Sequence, residues 1–417
     1  MEQFELILVI VGGLLLLSVL ASRLSSRLGV PALLVFLLMG MLAGSEGPGG
    51  IYFDDARLAQ SLGVVALSFI LFDGGLGTGW SVVRSTAWTG ISLSTIGVLV
   101  TAILVGLAAM PVLGFSLLQG LLLGAVVAPT DAAAVFSVLR EKRLPLKGRV
   151  VPLLELESGL NDPMAVFLTI GFTALLTTPG LSPFTLVPFF VQQMLIGGVV
   201  GIALGFGMLV LIARLRFGSR EIHPILSSAL VMATYGGTAL LGGSGFLAVY
   251  LAGLVLGSSN LPRKDALLRF HNVIALLMEI AMFLALGLLV FPSHLLSIIG
   301  VGLLMTLVLL VARPVSVFVS LLVSRFSVGQ KTFIAWVGLR GAAPIILATF
   351  PLLAGVPGAG LIFDLVFFIV LVSVLAQGLS IPAVARWLGL VSSAPTPPAA
   401  PVPPPEPKGP VEAPAAG

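Results

Sequence analysis

Eight ionisable side chains stand within stretches that are otherwise apolar: Asp73, Asp131, Glu155, Glu157, Asp162, Glu279, Arg313 and Arg340. A charge at the centre of a bilayer costs about 2.5–3.5 kcal/mol on insertion scales, so each needs a partner, a watery cavity or a purpose. Four of the six acids fall in two neighbouring segments, APTDAAAV (128–135) and LELESGLNDPMAV (154–166). In the first, Pro129 removes a backbone donor and turns Ala128 away from helical geometry, so a helix breaks there. A break at membrane depth is tolerated where it lines protein or water, which puts Thr130 and Asp131 at a cavity whose freed carbonyls suit a cation. The structural alternative is a proline kink with Asp131 bonded to backbone. In the second segment Ser158 and Asp162 are four apart and share a helix face, with Asn161 beside them. Hydroxyl, amide and carboxylate oxygens are hard ligands suited to alkali cations. A single carboxylate that holds either a proton or a cation is the simplest device for exchanging one for the other.

The remaining charges divide between roles. Glu157 lies one residue off the Asp162 face, where Arg340 or Arg313 could pair with it, and buried pairs of that kind are structural. Asp73, in FDGGLG (72–77), reads equally as a funnel carboxylate or an interfacial group. Glu279 stands alone in an apolar helix and is expected to be satisfied by packing or water rather than to ligate. His223, His271 and His294 are expected at span ends or in loops, away from a pH-sensing role.

The elements that position these residues follow from composition. Of 417 residues, 58% are hydrophobic and only 9% charged, against about 25% charged in a soluble domain, so most of the surface must face lipid. With no cysteine, disulfides, thiol catalysis and thiolate metal sites are excluded. Apolar runs place thirteen spans, at about 4–22, 30–44, 58–78, 86–110, 116–139, 150–176, 185–213, 223–242, 244–258, 272–291, 295–324, 332–353 and 361–389. The first has acidic residues before it and Arg23 and Arg27 after it, the reverse of a secretory signal, so the N-terminus is expected outside. Thirteen crossings then put 18 of the 21 Lys and Arg residues on the inner side, as the positive-inside rule requires. A missed span in the middle would destroy that pattern. Scattered in short loops, with a net charge of only +4, these basic residues report topology rather than a nucleic-acid surface. Residues 390–417 change character: ten prolines among Ser, Ala and Val leave no route to a packed core, and a disordered cytosolic tail is expected after a transmembrane domain spanning 1–389.

The twelfth span repeats the theme of the fifth. WVGLRGAAPIILA (336–348) joins a Gly-Ala-Ala-Pro break to Arg340. Interrupted helices in corresponding positions of two halves point to inverted repeats around a midplane site in secondary transporters. The expected fold is an all-α polytopic membrane protein built on such repeats.

On these residues the chain resembles the monovalent cation:proton antiporter-1 family, most closely its bacterial potassium/proton, cell-volume-regulation branch. The likeness runs through 1–389 and is carried by PTDAAAVFS (129–137), ESGLNDPMAVFLT (157–169), GSGFLAVYLAGLVLG (243–257), ARPVSVF (312–318) and WVGLRGAAPIILA (336–348). The resemblance implies a sodium/proton-antiporter-like fold with spans five and twelve crossing as discontinuous helices in a core bundle beside a dimerisation bundle, and a homodimer in the inner cell membrane. It implies Asp162 as the carboxylate that binds cation and proton in turn, with Thr130 and Ser158 completing the alkali-cation site. Asp131 would offset the positive half-helix ends, and Glu157 with Arg340 would form the structural ion pair. Asn161 in place of a second acid fits electroneutral members, whereas Asp73 stands where many members have Glu. No cofactor is implied beyond the transported potassium or sodium and protons.

Two readings from other classes compete. Gly242, Gly243, Ser244 and Gly245 match a Gly-x-Ser-Gly nucleophile motif, but a serine protease needs a membrane-embedded base, which no histidine is placed to supply, so no enzymatic activity is expected. A passive cation channel has no need for two broken helices around a titratable acid.

Overall fold

The computed structural model describes residues 2–28, 31–142, 144–214, 222–260 and 264–391, and among these it is helical with no extended strand. The proline-rich tail assigned to 390–417 lies, from residue 392 on, outside the described residues. The helices are α1 (Glu2–Leu28), α2 (Ala32–Ala43), α3 (Ala56–Gly77), α4 (Trp80–Ser92), α5 (Val98–Leu113), α6 (Leu117–Val127), α7 (Ala132–Glu141), α8 (Val150–Thr177) and α9 (Leu186–Arg214). They continue with α10 (Ile222–Leu240), α11 (Gly245–Gly257), α12 (Lys264–Leu288), α13 (Pro292–Ser297), α14 (Ile299–Ser320), α15 (Val328–Trp336), α16 (Ala342–Leu353) and α17 (Ala359–Trp387). Each sequence-derived span falls on a helix or a helix pair. Among the described residues, eight helical stretches are long and apolar enough to cross a membrane by themselves, and four shorter apolar helices accompany them.

Three boundaries differ from expectation. The fourth span begins earlier, at Trp80, and runs from α4 to α5 through a π turn at Leu93–Gly97. Ser92 donates to the Ser320 carbonyl (2.8 Å) at that turn, tying it to the end of α14. The tenth span begins at Lys264 rather than 272, because the polar KDALLRFHN run continues the helix out of the apolar core. The eleventh divides at Ile298 into α13 and α14.

By their contacts the helices sort into two groups. In one, α2 and α3 pack on α12, and α11 packs between α3 and α9. In the other, α5, α6 and α14 pack together with α4 on α8 and α16 on α17. Lipid tails are as apolar as leucine, so such helices are held by close van der Waals packing at small residues rather than by water exclusion. A Cβ on Gly75 would lie 2.3 Å from the Tyr250 carbonyl oxygen across the α3–α11 contact. One on Gly120 would lie 2.4 Å from the Gly106 oxygen between α6 and α5. Backbones this close fix the helix ends, and those ends build the site.

Candidate ion-binding site

The fifth and twelfth spans are both interrupted, between α6 and α7 at residues 128–131 and between α15 and α16 at 337–341. The two breaks meet: the Asp131 amide donates to the Leu339 carbonyl (2.8 Å), and the Arg340 guanidinium donates through Nη1 to the Pro129 carbonyl (3.3 Å). Each broken helix also opens with the same device, a capping box of Ser116 with Gln119 in α6 and of Ser327 with Gln330 in α15. This Ser-x-x-Gln pair is a sequence signature shared by the two broken helices.

Four half-helix ends therefore converge, two positive and two negative. Asp131 is the N-cap of α7, accepting from the Ala134 amide (3.0 Å). Its carboxylate also lies against the start of α16, where a Cβ on Gly341 would fall 2.2 Å from Oδ2, so only glycine fits. One carboxylate thus faces both positive ends. Arg340 lies with the negative ends, and α17 closes that side. Ser373 accepts from the Arg340 amide (3.2 Å) and donates to Gln377 (2.5 Å), and the Gln377 amide donates to the Trp336 carbonyl left free at the end of α15 (2.8 Å). Ser373 and Gln377 were not singled out from sequence, because their polarity is unremarkable until the broken carbonyl is beside them.

Residues of α8 face the first break. Asn161 is fully buried and donates from Nδ2 to the Thr130 hydroxyl (2.8 Å) and more weakly to its carbonyl (3.4 Å). The Ser158 hydroxyl accepts from the Ala132 amide at the first turn of α7 (3.3 Å). Asp162 is 6% exposed, and among the described residues no donor is bonded to its carboxylate. Gly159 lets the Tyr250 ring lie against α8, since a Cβ there would be 2.2 Å from Cε2. Thr130, Asp131, Ser158 and Asp162 share the wall of a cavity of ≈ 380 Å³ between the two groups of helices. Beyond Asp162 the α8 residues 163–169 are all buried, so the cavity ends at this carboxylate.

A family profile for the transmembrane sodium/hydrogen exchangers matches residues 13–387. The chain belongs to the sodium/hydrogen exchanger family. It is 46% identical over 391 residues to the K(+)/H(+) antiporter NhaP of Alkalimonas amylolytica, covering 94% of this chain and 68% of that one. It is 28% identical to the Na(+)/H(+) antiporter ApNhaP of Aphanothece halophytica, covering 94% of this chain and 75% of that protein. The solved structure of the sodium proton antiporter MjNhaP1 from Methanocaldococcus jannaschii superposes with a TM-score of 0.81 at 26% identity, over 93% of this chain and 99% of that one.

In this exchanger the same cavity also holds Asp73 and Glu155, with Arg140 on its wall. Glu279, expected to be satisfied by packing or water, lines it too: α12 places it on the wall of the cavity that reaches Asp162. Five carboxylates and one arginine therefore line this cavity.

The expected ion pair is also corrected. Glu157 (1% exposed) meets Arg313 of α14 at 2.5 Å, not Arg340. The Arg340 guanidinium is held by the Pro129 carbonyl at the crossing. Helix α14 brings Arg313 alongside α8, which the spacing of motifs could not reveal.

His271 is neither at a span end nor in a loop. It is buried two turns inside α12, 2.7 Å from the Ser227 hydroxyl, with the Phe69, Phe72 and Phe270 rings around it. The Ser244 hydroxyl caps α11 by accepting from Leu247 (3.3 Å), so the Gly-x-Ser-Gly run is a packing and capping element.

Proposed function

We propose that the protein exchanges one monovalent cation for one proton by alternating access, with Asp162 taking each in turn. The observation that carries this reading is a buried carboxylate with no protein donor at the closed end of an acid-lined cavity, beside an unwound segment. A cation reaching it exchanges water for the Asp162 carboxylate, the Thr130 and Ser158 oxygens and nearby freed carbonyls. A proton arriving instead neutralises the same carboxylate, so the empty carrier returns without a bare buried charge. Asp131 balances the two positive helix ends whichever cargo is present, and Asn161 fixes Thr130 without adding a second exchangeable acid. That favours electroneutral, one-for-one exchange.

Relatives at 45–46% identity carry K(+)/H(+) antiporter names, which supports potassium as cargo, with sodium as the competitor to test. The reading places the protein as a homodimer in the inner cell membrane, one helical group forming the moving core and the other the dimer contact. The N-terminus lies outside, and the cavity opens to the cytoplasm on the side of Arg140 and the other loop arginines. Exchange there serves pH homeostasis and cell volume regulation.

The test is dissipation of a pH gradient in proteoliposomes on adding potassium, sodium or lithium in turn. Wild-type protein is expected to respond, most strongly to potassium, with a bell-shaped pH dependence because cation and proton compete for one group. Asp162→Asn should abolish the response, and normal exchange by that variant would overturn the assignment. Cation flux without proton movement would instead identify a channel.

A further inference from the structure

Apart from the cavity at Asp162, a pocket of ≈ 520 Å³ opens beside α4, where α8 and α15 begin and α14 ends. Arg149 and Arg325 line it, together with Ser85, Thr89, Ser324 and Gln330. No carboxylate is in its wall, and among the described residues neither guanidinium has an ion pair or hydrogen bond. Two uncompensated guanidiniums beside the Gln330 side-chain amide form a site for an oxyanion, the Thr89 and Ser324 hydroxyls being turned to the Thr86 and Leu321 carbonyls, and arginine forks match phosphate oxygens bidentately. The 28-residue α8 starts here with Arg149 as its N-cap and no side-chain cap, so its first amides and positive end add to the same potential.

The surroundings say how the phosphate is presented. Val323 in the pocket wall is fully exposed at 101%, Leu322 and Val328 are exposed beside it, and Trp88, next to Thr89, is 85% exposed. Bare aliphatic and indole surface next to paired arginines, at the ends of membrane-spanning helices, suits a molecule with a phosphate and acyl chains. Basic pockets between transmembrane helices are a recurring form of anionic-headgroup site.

We propose that this pocket binds the headgroup phosphate of an anionic phospholipid. The bound lipid bridges four helices around the ion site: α8 holds Asp162 and Glu157, α14 holds Arg313, α15 leads into the second break, and α4 packs on α8. A negative headgroup there braces the crossing from outside the cavity and leaves the transport path open.

The experiment uses the full-length protein in nanodiscs of neutral phosphatidylcholine, with and without phosphatidylglycerol. Melting is followed in each, and retained lipid is counted by native mass spectrometry. Wild-type protein is expected to retain phosphatidylglycerol and to melt at higher temperature in its presence. The double variant Arg149→Gln/Arg325→Gln should bind it roughly 30-fold more weakly and lose the melting gain. Arg214→Gln, a basic residue outside the pocket, should keep both; an equal loss there would mean that general surface charge explains the effect and would overturn the site. The same melting gain from inorganic phosphate in neutral discs would overturn the lipid assignment in favour of a free anion. Should the double variant not fold, phosphatidylglycerol carrying a diazirine headgroup is cross-linked to wild-type protein. Labelling at 85–89 and 322–325 supports the proposal, and labelling confined to other segments overturns it.

Discussion

The two broken helices share a backbone plan and differ in what they do with it. Both open with a Ser-x-x-Gln capping box, both unwind at a proline-containing or glycine-containing segment, and the breaks are bonded to each other through Asp131 and Leu339. The first break presents Thr130 and a carboxylate to a cavity. The second presents Arg340, and α17 seals its loose carbonyl through Gln377. Two breaks on one backbone plan thus meet at a single crossing and differ in charge, one carrying a carboxylate and the other a guanidinium. The pairing places a negative group at the two positive helix ends and a positive group with the two negative ones, each electrostatically favourable by up to about 2 kcal/mol in partly buried geometry.

The sharpest test of that division is at the two buried arginines. Arg313→Ala removes the partner of Glu157 and leaves a carboxylate buried without a counter-ion, a loss of about 3–5 kcal/mol. It should lower both yield and melting temperature in detergent. Arg340→Ala leaves the Pro129 carbonyl without its donor, a cost of about 1–3 kcal/mol, and should be recovered in better yield. If Arg340→Ala were the more damaging, the second break would be the principal structural anchor and Glu157 would depend on both charges.

Gly341→Ala comes next. Its methyl would press on Asp131 from 2.2 Å, so overpacking should cost about 1–3 kcal/mol, and exchange should fall with it because Asp131 cannot hold both helix ends. Melting and proteoliposome exchange, measured on the same preparation, would show whether stability and transport decline together. Gln377→Ala leaves the Trp336 carbonyl without its donor and the Ser373 hydroxyl without its acceptor, and should cost about 1 kcal/mol for each lost bond, with little effect on cation affinity. A large shift in affinity would mean that the second break also touches the ion.

The smallest effect is expected away from both breaks. The exposed Glu46 carboxylate accepts from the Ser293 hydroxyl and amide, and these donors hold it below its ordinary value of 4.5. A depressed folded value means that its contribution is complete above about 4.5 and fades as pH falls through the lower folded value. Glu46→Gln should therefore melt slightly below wild type near neutral pH, and the difference should vanish in acid. Persistence of the gap below that range would show that Glu46 acts through packing rather than charge.

How much was legible beforehand varied by residue. Asp131, Ser158, Asn161 and Asp162 announced themselves because oxygen-rich residues at helical spacing beside a proline are conspicuous in an apolar chain. Glu279 looked isolated because its neighbours in sequence are apolar, while its neighbours in space belong to α3, α7 and α8. His271 was misplaced because hydropathy ends a span where charge begins, although a helix continues as long as its backbone bonds do. Glu157 had two arginines within reach of inference, and choosing between them required the packing of α14 on its neighbours.

What the sequence determined by itself is the class of molecule and the shortlist of working groups. Charge too sparse for a soluble surface forces helices into lipid, the loop arginines order them, and each charge retained inside must carry a reason for its cost. What only the tertiary structure decided is partnership: that the breaks cross, that Arg313 rather than Arg340 holds Glu157, and that five acids from four helices face one cavity. Helical periodicity fixes which residues share a face, but the contacts between faces depend on close approaches at small residues far apart in the chain, and local spacing does not encode those.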